Sequence, residues 1–553
     1  MIALFAALIP IWFHFEHRLP TIDESGHILD SFAYQDLLRH PRLWKADWWL
    51  HMLTVNRFYP PLVYIAGGAL KLLFGATRAV DIGMLTLFNV ILSASVYGIA
   101  RLTLSSANGG GWRVAAPTAG LCAVTVVNLY PELALLNRAF WLDFPLTAMV
   151  AAGLFSLLWW QSRPSWARAA LSGVTLALAC LTKQIACLYL VGPGLTILIW
   201  QLLSLARQRR PAPVLQVIVI AVVTAALFLP WVVVNAGESQ NLAKDCAEHL
   251  GVRRSLVETL SANVLFYCGC LKSMMSPVLL AAFIASVGFL AVKMRSSFIL
   301  LFSSPLIGIA AVSTLAWIFP KPQYIAPALV SFSACTGIAM ARLWWAGRLP
   351  VKGNDEVHGL SKRAVAAWLV PLICLVAGVQ MFSLLFAPYP LAQPSFLARI
   401  SDRLGARIRE PRLRIERINA HRAEDWGYAY VLDTIERREQ GKPVWLNVQS
   451  NSPDLNVHTF ELIAHDLHSH VRPTTSRVYS IAGDRTEFSK EKALYYQWYL
   501  LRDAALGQGF ETAESQAADR DLRQFVTTGG KFELVARRAL PDGSSLYLYR
   551  QKD

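Results

Sequence analysis

The sequence predicts a polytopic α-helical membrane protein that is followed by a soluble α/β domain. Of its 553 residues, 54% are hydrophobic and only 16% are charged, whereas an average soluble domain carries about 25% charged residues. The charges are unevenly distributed, because residues 389–553 contain 46 of them and the 388 residues before contain 43. We therefore expect residues 1–388 to form a membrane domain and residues 389–553 to form a soluble domain.

Eleven apolar runs reach or approach the length of roughly 18 residues that a helix needs to cross the hydrocarbon core. In approximate numbers, they are 1–15, 79–100, 114–131, 143–161, 169–183, 184–205, 213–235, 276–292, 297–318, 324–341 and 364–387. The run from Phe58 to Gly75 is also apolar, but Pro60-Pro61 blocks its first turn and Gly67-Gly68 weakens its centre. We predict that it forms an interfacial or re-entrant helix within a first external loop over residues 16–78.

The basic residues orient this topology. With a cytoplasmic N-terminus, the loops on the inner side carry 14 Lys and Arg residues and two acids, Asp355 and Glu356. This excess is the bias that orients membrane proteins, and it explains the basic composition without a nucleic-acid function. The other 13 acids of residues 1–388 then lie outside or at outer span ends. Because acids contribute little to orientation, their position suggests chemistry on the outer face.

Two adjacent carboxylates, Asp23 and Glu24, follow the first predicted span. Carboxylates this close together repel one another and raise the pKa of at least one of them, which suits acid–base catalysis. The alternative is a helix N-terminus, because acidic residues in a first turn are favoured by the helix dipole. Both can hold, since a capping position also fixes the direction of a carboxylate.

Further ionisable residues lie at the outer ends of the predicted spans. Asp143 opens one span, and an ionisable residue near membrane depth is a functional candidate. An ion pair with Arg138, which only anchors the loop, is the alternative. Arg57 and Tyr59 precede Pro60-Pro61, where ligand binding and a place in the headgroup layer are both compatible with the sequence.

Two lysines, Lys183 and Lys321, lie at external span boundaries. External lysines run against the orienting bias, so each needs a partner. A lipid phosphate is the obvious partner, because an ammonium group is an effective point charge for phosphate.

The cysteines indicate no metal centre. Cys246, Cys268 and Cys270 share a predicted external loop over residues 236–275, where one disulfide would leave one thiol unpaired. No cysteine spacing resembles a zinc site. The apolar start at Met1 has neither a basic segment nor a small-residue cleavage site, so we expect a retained anchor rather than a cleaved signal peptide.

Together these groups form a family pattern. Its five elements, in chain order, are Asp23-Glu24, Tyr59-Pro60-Pro61-Leu62 leading to Lys71-Leu72-Leu73-Phe74-Gly75, Leu142-Asp143-Phe144-Pro145-Leu146, Leu181-Thr182-Lys183, and Lys321 with Tyr324-Ile325 and Pro327. The chain resembles the polytopic GT-C glycosyltransferases, in the branch of dolichyl-phosphate-mannose–protein mannosyltransferases and the lipid A aminoarabinose transferase ArnT. His27 departs from the pattern, since many members carry an aromatic residue there.

The resemblance implies an inverting glycosyltransferase that moves a single sugar from a polyprenyl-phosphate carrier to an extracytoplasmic glycan, lipid or protein. Asp23 would be the general base, supported by Glu24, and Asp143 would orient the acceptor or the loop of Asp23. The candidates for binding the donor phosphate are Arg57, Tyr59, Arg138, Lys183, Lys321 and Tyr324. The donor is itself the substrate, so no cofactor is expected.

A transporter or flippase of an anionic lipid is the alternative function. Transporters usually place polar groups in the middle of their spans, whereas here they gather at span ends, which favours catalysis. The expected partners are the lipid-linked sugar, membrane lipids and an unidentified acceptor. We expect a multi-pass integral membrane protein with its active site and C-terminal domain on the extracytoplasmic side.

The C-terminal segment predicts α/β structure. Val444–Val448 and Arg477–Ile481 have the composition of strands, and Val457–Leu467 and Ser515–Phe525 have a helical pattern. Phe532–Ala536 and Ser545–Tyr549 flank Pro541-Asp542-Gly543, which is a strong hairpin signal.

Overall fold

A computed structural model of the chain describes residues 1–16, 18–106, 113–209, 211–249, 256–314, 320–346, 356–386, 424–452, 454–475, 489–503 and 513–552. Its first part is a bundle of helices, and its last part is a mixed sheet with helices against it. The predicted domain boundary at residue 388 lies outside the described residues, as does the predicted strand Arg477–Ile481.

Sixteen helices make up the described bundle. They are α1 (Ile2–Phe15), α2 (Ile22–Arg39), α3 (Ala46–Thr54), α4 (Leu62–Phe74), α5 (Arg78–Ser105), α6 (Ala116–Asn128), α7 (Pro131–Leu136), α8 (Asp143–Ser162), α9 (Trp166–Thr182), α10 (Ala186–Gln208), α11 (Ala212–His249), α12 (Leu256–Met275), α13 (Pro277–Lys293), α14 (Arg295–Thr314), α15 (Ala328–Ala346) and α16 (Glu356–Phe386). A short 3₁₀ helix, Pro322–Ile325, precedes α15. One continuous apolar cluster joins helices from α1 to α16.

Each of the eleven predicted spans coincides with a helix. Among the described residues, five helices are long and apolar enough to cross a membrane, namely α5, α8, α10, α11 over Ala212–Glu238, and α15 over Ala328–Trp345. A sixth span results if the pair α12 and α13, bent by 115° at Ser276, counts as one. In the other apolar helices the apolar segment is only 10–17 residues long, as in Phe298–Thr314 of α14 and Trp368–Phe382 of α16. The chain is therefore a multi-pass membrane protein.

Most of the segment predicted as an external loop, residues 236–275, is helical. Helix α11 continues to His249, and α12 occupies Leu256–Met275. Polar residues interrupt the apolar pattern of α12, and the sequence therefore gave a weak signal there. Cys268 has a free thiol, and the side chain of Cys246 lies outside the described residues.

Helix α4 occupies the Phe58–Gly75 run and begins only after Pro60-Pro61. Its 13 residues extend about 20 Å, which is less than the thickness of a hydrocarbon core. Its two central glycines allow close packing on α2, because a Cβ at Gly68 would lie 2.6 Å from the backbone nitrogen of Gln35. The buried Lys71 ammonium reaches from α4 to Ser31 Oγ at 2.7 Å and also pairs with Asp81.

The described C-terminal part has a five-stranded sheet in the order β4-β1-β5-β7-β6. These strands are β1 (Val444–Val448), β4 (Val471–Thr474), β5 (Trp498–Arg502), β6 (Phe532–Ala539) and β7 (Ser545–Gln551), while Asn451–Ser452 (β2) and Leu455–Asn456 (β3) form a separate antiparallel pair. Strand β1 is parallel to β4 and β5, and β7 is antiparallel to β5 and β6. The helices are α17 (Tyr428–Glu439), α18 (Val457–Asp466), α19 (Lys490–Ala493) and α20 (Ala513–Thr528).

The sheet confirms most of the secondary structure predicted for this part. Strand β1, the β6–β7 hairpin and helices α18 and α20 all form where the sequence indicates them. Strands β4 and β5 and helix α17 were not predicted. Helix α18 covers the β1–β4 edge and also packs on α2 of the helical bundle, and this second contact joins the two parts of the chain.

Candidate active site

The acidic pair lies at the start of α2, where Thr21 and Glu24 form a capping box. Glu24 Oε2 accepts hydrogen bonds from Thr21 N and from Thr21 Oγ1, both at 2.8 Å, and Oε1 accepts one from Phe140 N at 3.2 Å. Both carboxylate oxygens of the buried Glu24 are therefore occupied. Glu24 therefore caps the N-terminus of α2, as the alternative interpretation of the acidic pair predicts. Its hydrogen bond from Phe140 N also joins α2 to the loop that precedes α8.

Asp23 has a different environment from its neighbour. Its side chain is exposed, and none of the described residues donates a hydrogen bond to its carboxylate. Because the capping box fixes the backbone of the first turn of α2, the direction in which the Asp23 side chain leaves the helix is fixed too. Asp23 is thus free to accept a proton from a ligand, whereas Glu24 is occupied.

Asp143 and Lys183 form a buried ion pair that joins the start of α8 to the end of α9. Lys183 Nζ lies 2.7 Å from Asp143 Oδ1, and both side chains are 7% exposed. The ammonium also lies over two aromatic rings, 5.6 Å from the centroid of Tyr59 and 5.3 Å from that of Tyr324. Four of the predicted site residues therefore meet at one point.

The loop that carries Arg57 and Tyr59 is held from two sides. Asn56 Oδ1 accepts hydrogen bonds from the backbone nitrogens of residues 58 and 59 at 2.9 and 2.7 Å, and Asn56 Nδ2 donates to Asp30 Oδ2 of α2 at 2.7 Å. On the other side, Gln184 Nε2 donates to Phe58 O at 3.2 Å. Burial raises the pKa of Asp30 to about 6. The loop is thus attached both to the helix of Asp23 and to the turn of Lys183.

His27 is a site residue whose importance the sequence did not indicate. It lies one helical turn after Asp23, and its Nδ1 is 2.9 Å from the hydroxyl oxygen of Tyr64. Its ring packs edge-to-face on Tyr59, with centroids 5.5 Å apart. Burial lowers the pKa of His27 to about 4, although the nearby Asp23 opposes this effect. The i, i+4 spacing from Asp23 was the available signal.

The predicted alternative of an Arg138–Asp143 ion pair is wrong, because Asp143 pairs with Lys183 instead. Arg138 is buried, and its Nη1 donates to Ala134 O at 2.7 Å and to Asn137 Oδ1 at 2.5 Å. Its guanidinium lies over the ring of Trp12 and borders a small cavity together with Glu24. Arg138 therefore lies beside Glu24 and not among the residues that surround Lys183.

The remaining two cations lie nearer the surface. Arg57 is 60% exposed and pairs with Glu238 of α11 at 2.9 Å. Lys321 is half-buried and precedes the 3₁₀ helix that carries Tyr324. Among the described residues, no group of three or more His, Cys, Asp or Glu side chains is arranged to hold a metal ion.

Part of the sequence and the fold as a whole resemble known proteins. Residues 80–239 match the family model of dolichyl-phosphate-mannose-protein mannosyltransferases, and no curated protein matches the sequence. The structure of ArnT from Cupriavidus metallidurans bound to undecaprenyl phosphate is similar with a TM-score of 0.56 and 14% identity, over 99% of this chain and 97% of that one.

Two further solved structures are more distant. The oligosaccharyltransferase of Archaeoglobus fulgidus has a TM-score of 0.47 and 12% identity, over 90% of this chain and 67% of that one. The arabinofuranosyltransferase AftD from Mycobacteria has a TM-score of 0.47 and 14% identity, over 100% of this chain and 40% of that one. The family match and the ArnT fold confirm the predicted resemblance to the GT-C enzymes, and the chain is accordingly a glycosyltransferase.

Proposed function

We propose that the protein is an inverting glycosyltransferase that moves a single sugar from a polyprenyl-phosphate carrier to an extracytoplasmic glycan, lipid or protein. The observation that carries the proposal is the exposed carboxylate of Asp23, fixed by a capping box near the buried cluster of Asp143, Lys183, Tyr59 and Tyr324. The ArnT structure with undecaprenyl phosphate supports a carrier of this chemical class.

The proposed reaction is an in-line displacement at the anomeric carbon. The bond from that carbon to the acceptor oxygen forms while its bond to the phosphate oxygen breaks, so the configuration inverts. Asp23 takes the proton of the acceptor hydroxyl, which contributes a factor of roughly 10²–10⁴ in such reactions. The departing polyprenyl phosphate gains negative charge, and nearby cations stabilise that charge.

The other site residues have positioning or binding roles in this proposal. Glu24 holds the start of α2, and Asp143 holds the ammonium of Lys183 in place. Lys183, Lys321 and Arg57 are the proposed phosphate cations, with the rings of Tyr59 and Tyr324 enclosing Lys183. Arg138, which is already engaged by two acceptors, is the weakest candidate. The lipid-linked sugar supplies the reactive bond, so the proposed reaction uses no cofactor.

Release of free polyprenyl phosphate tests the proposed function. Purified protein in vesicles of the source membrane receives a polyprenyl-phosphate sugar that is labelled in the sugar. A transferase releases polyprenyl phosphate as label enters an acceptor. Recovery of the donor intact on the opposite membrane face, without release, would instead indicate a transporter.

The proposed topology has eleven spans, a cytoplasmic N-terminus, a domain boundary near residue 388, and an outer side that holds both Asp23 and residues 389–553. The packing of α18 on α2 supports a common side for these two parts. A reporter fused to the C-terminus is therefore expected to be active only if it functions outside the cytoplasm. Activity of a strictly cytoplasmic reporter would contradict this topology.

Replacing Lys321 by Met is expected to weaken use of the donor by roughly tenfold or more, because a hydrogen bond to a charged phosphate is worth about 1.5–3 kcal/mol. The loss should affect kcat as well as the KM for the donor, since the leaving phosphate gains charge in the transition state. Lys45→Met, at an exposed position of the first external loop, is the matched control. Wild-type donor kinetics in Lys321→Met would show that Lys321 does not bind the donor phosphate.

A further inference from the structure

Helix α18 contacts the helical bundle directly beside the first turn of α2, which carries Asp23. Thr459 Oγ1 lies 3.0 Å from Ser25 Oγ and 3.0 Å from Pro20 O, and Ser25 Oγ lies 3.2 Å from the same carbonyl oxygen. Thr459 and Ser25 are almost completely buried. These bonds flank Thr21–Glu24 on both sides, so α18 is fixed against the segment that carries Asp23.

Apolar contacts extend this interface along α2. Leu462 is buried in the apolar cluster of the helical bundle rather than in that of the sheet. The ring of His465 stacks on Phe32 with centroids 4.1 Å apart. In the opposite direction, Leu19 packs against the cluster of the sheet. Side chains thus interlock from both parts, and α18 is a structural component of the site region.

His458 is the residue of α18 that reaches the site itself. A Cβ at Gly26, three residues after Asp23, would lie 3.9 Å from His458 Cδ2. When protonated, its imidazolium would lie close enough to His27 and Asp30, both of α2, to interact with them electrostatically. Its Nδ1 lies 3.0 Å from Glu461 Oε2, and the two side chains are 42% and 36% exposed. Glu461 therefore orients the imidazole, and both groups keep surface available for a ligand.

We propose that α18 forms the acceptor side of the transfer site, and that His458 and Glu461 bind hydroxyl groups of a glycan acceptor. This inference rests on the proposed function. An imidazole and a carboxylate together supply donors and acceptors for neighbouring hydroxyls, whereas α18 supplies none of the candidate cations for the donor phosphate. In an in-line displacement the acceptor attacks from the side opposite the leaving phosphate, so it needs a binding surface separate from those cations. His458 is then a specificity-determining residue.

The experiment separates acceptor binding from donor chemistry. The full-length protein receives the labelled polyprenyl-phosphate sugar with vesicles of the source membrane as the supply of acceptor, and without them. With vesicles, the label moves to the acceptor. Without them, water attacks the anomeric carbon, and free sugar and polyprenyl phosphate are released slowly. Only the first reaction depends on acceptor binding.

His458→Gln and Glu461→Gln are expected to lower transfer at limiting vesicle concentration by roughly tenfold each, which corresponds to one lost polar contact. An excess of vesicles should restore transfer, and hydrolysis without vesicles should stay within about twofold of wild type. His470→Gln is the matched control, because His470 pairs with Glu436 away from α2. It should behave as wild type in both reactions.

Three results would overturn the inference and leave the proposed function intact. Wild-type transfer by both variants at limiting vesicle concentration would show that the pair binds no acceptor. A parallel loss of transfer and hydrolysis in both would assign the pair a structural role. Transfer that falls equally whether the vesicles carry glycans or have been stripped of them would point to a non-glycan acceptor. If the wild-type protein itself releases no polyprenyl phosphate, the proposed function fails, and the inference fails with it.

Discussion

Replacing Asp23 by Asn is expected to leave the protein folded and to lower sugar transfer by a factor of roughly 10²–10⁴, the usual contribution of a positioned general base. The amide preserves the shape of the side chain but cannot take the acceptor's proton. Folding should be unaffected, because Asp23 is exposed and the capping box is formed by Thr21 and Glu24. The measurement is release of polyprenyl phosphate under saturating donor, with thermal unfolding in detergent as the check on folding.

Asp36→Asn is the matched control, since Asp36 is an exposed residue of the same helix. Glu24→Gln should behave differently from both, because an amide has one acceptor oxygen and cannot accept from Thr21 and from Phe140 N at the same time. It is expected to lower the melting temperature together with activity. Turnover near that of wild type in Asp23→Asn would leave the acidic pair with only a helix-capping role.

The second large effect is expected for Lys183→Met, which leaves Asp143 buried without its cation. Removing one partner of a buried ion pair typically destabilises a protein by about 3–5 kcal/mol, because the remaining charge is uncompensated. Both side chains are 7% exposed, so solvent compensates little. We expect a clear fall in the melting temperature and loss of donor turnover, measured in detergent and in vesicles.

The double variant Lys183→Met with Asp143→Asn distinguishes a structural lysine from one that binds phosphate. It removes the uncompensated charge, so the melting temperature should recover most of the loss. Donor turnover should stay low if the ammonium also stabilises the leaving phosphate. Wild-type turnover in a double variant whose melting temperature has recovered would mean that the pair only fixes α8 against α9. The phosphate site would then consist of Lys321 and Arg57.

The sequence predicts the helical elements well because their signal is local. Each long apolar run favours a helix, whatever that helix later packs against. Pro541-Asp542-Gly543 favours a hairpin through its own turn geometry. Strand β4 escapes prediction because it has only four residues and includes Pro473. Such a strand is specified by its pairing with β1 rather than by its own composition.

Site geometry is harder to predict because it depends on contacts between distant segments. Sequence proximity offered Arg138 as an alternative partner of Asp143, but the packing of α8 and α9 brings Lys183, 40 residues away, to that carboxylate. The difference between Asp23 and Glu24 has a local and a distant part. The Thr21-x-x-Glu24 spacing is a local capping-box signal, whereas the hydrogen bond from Phe140 N to the other oxygen of Glu24 comes from a segment 116 residues away.

The amide of Asn56 has a consequence for the rate of the reaction. Through this one side chain and Gln184, the segment with Tyr59 is joined to the helix of the general base and to the turn of the lysine. Because the three segments are hydrogen-bonded together, none of them can move independently of the others. The loss of conformational freedom therefore occurs once, when the chain folds, and need not be repeated at each encounter with substrate. Binding of the substrates should accordingly require little further ordering of these three segments.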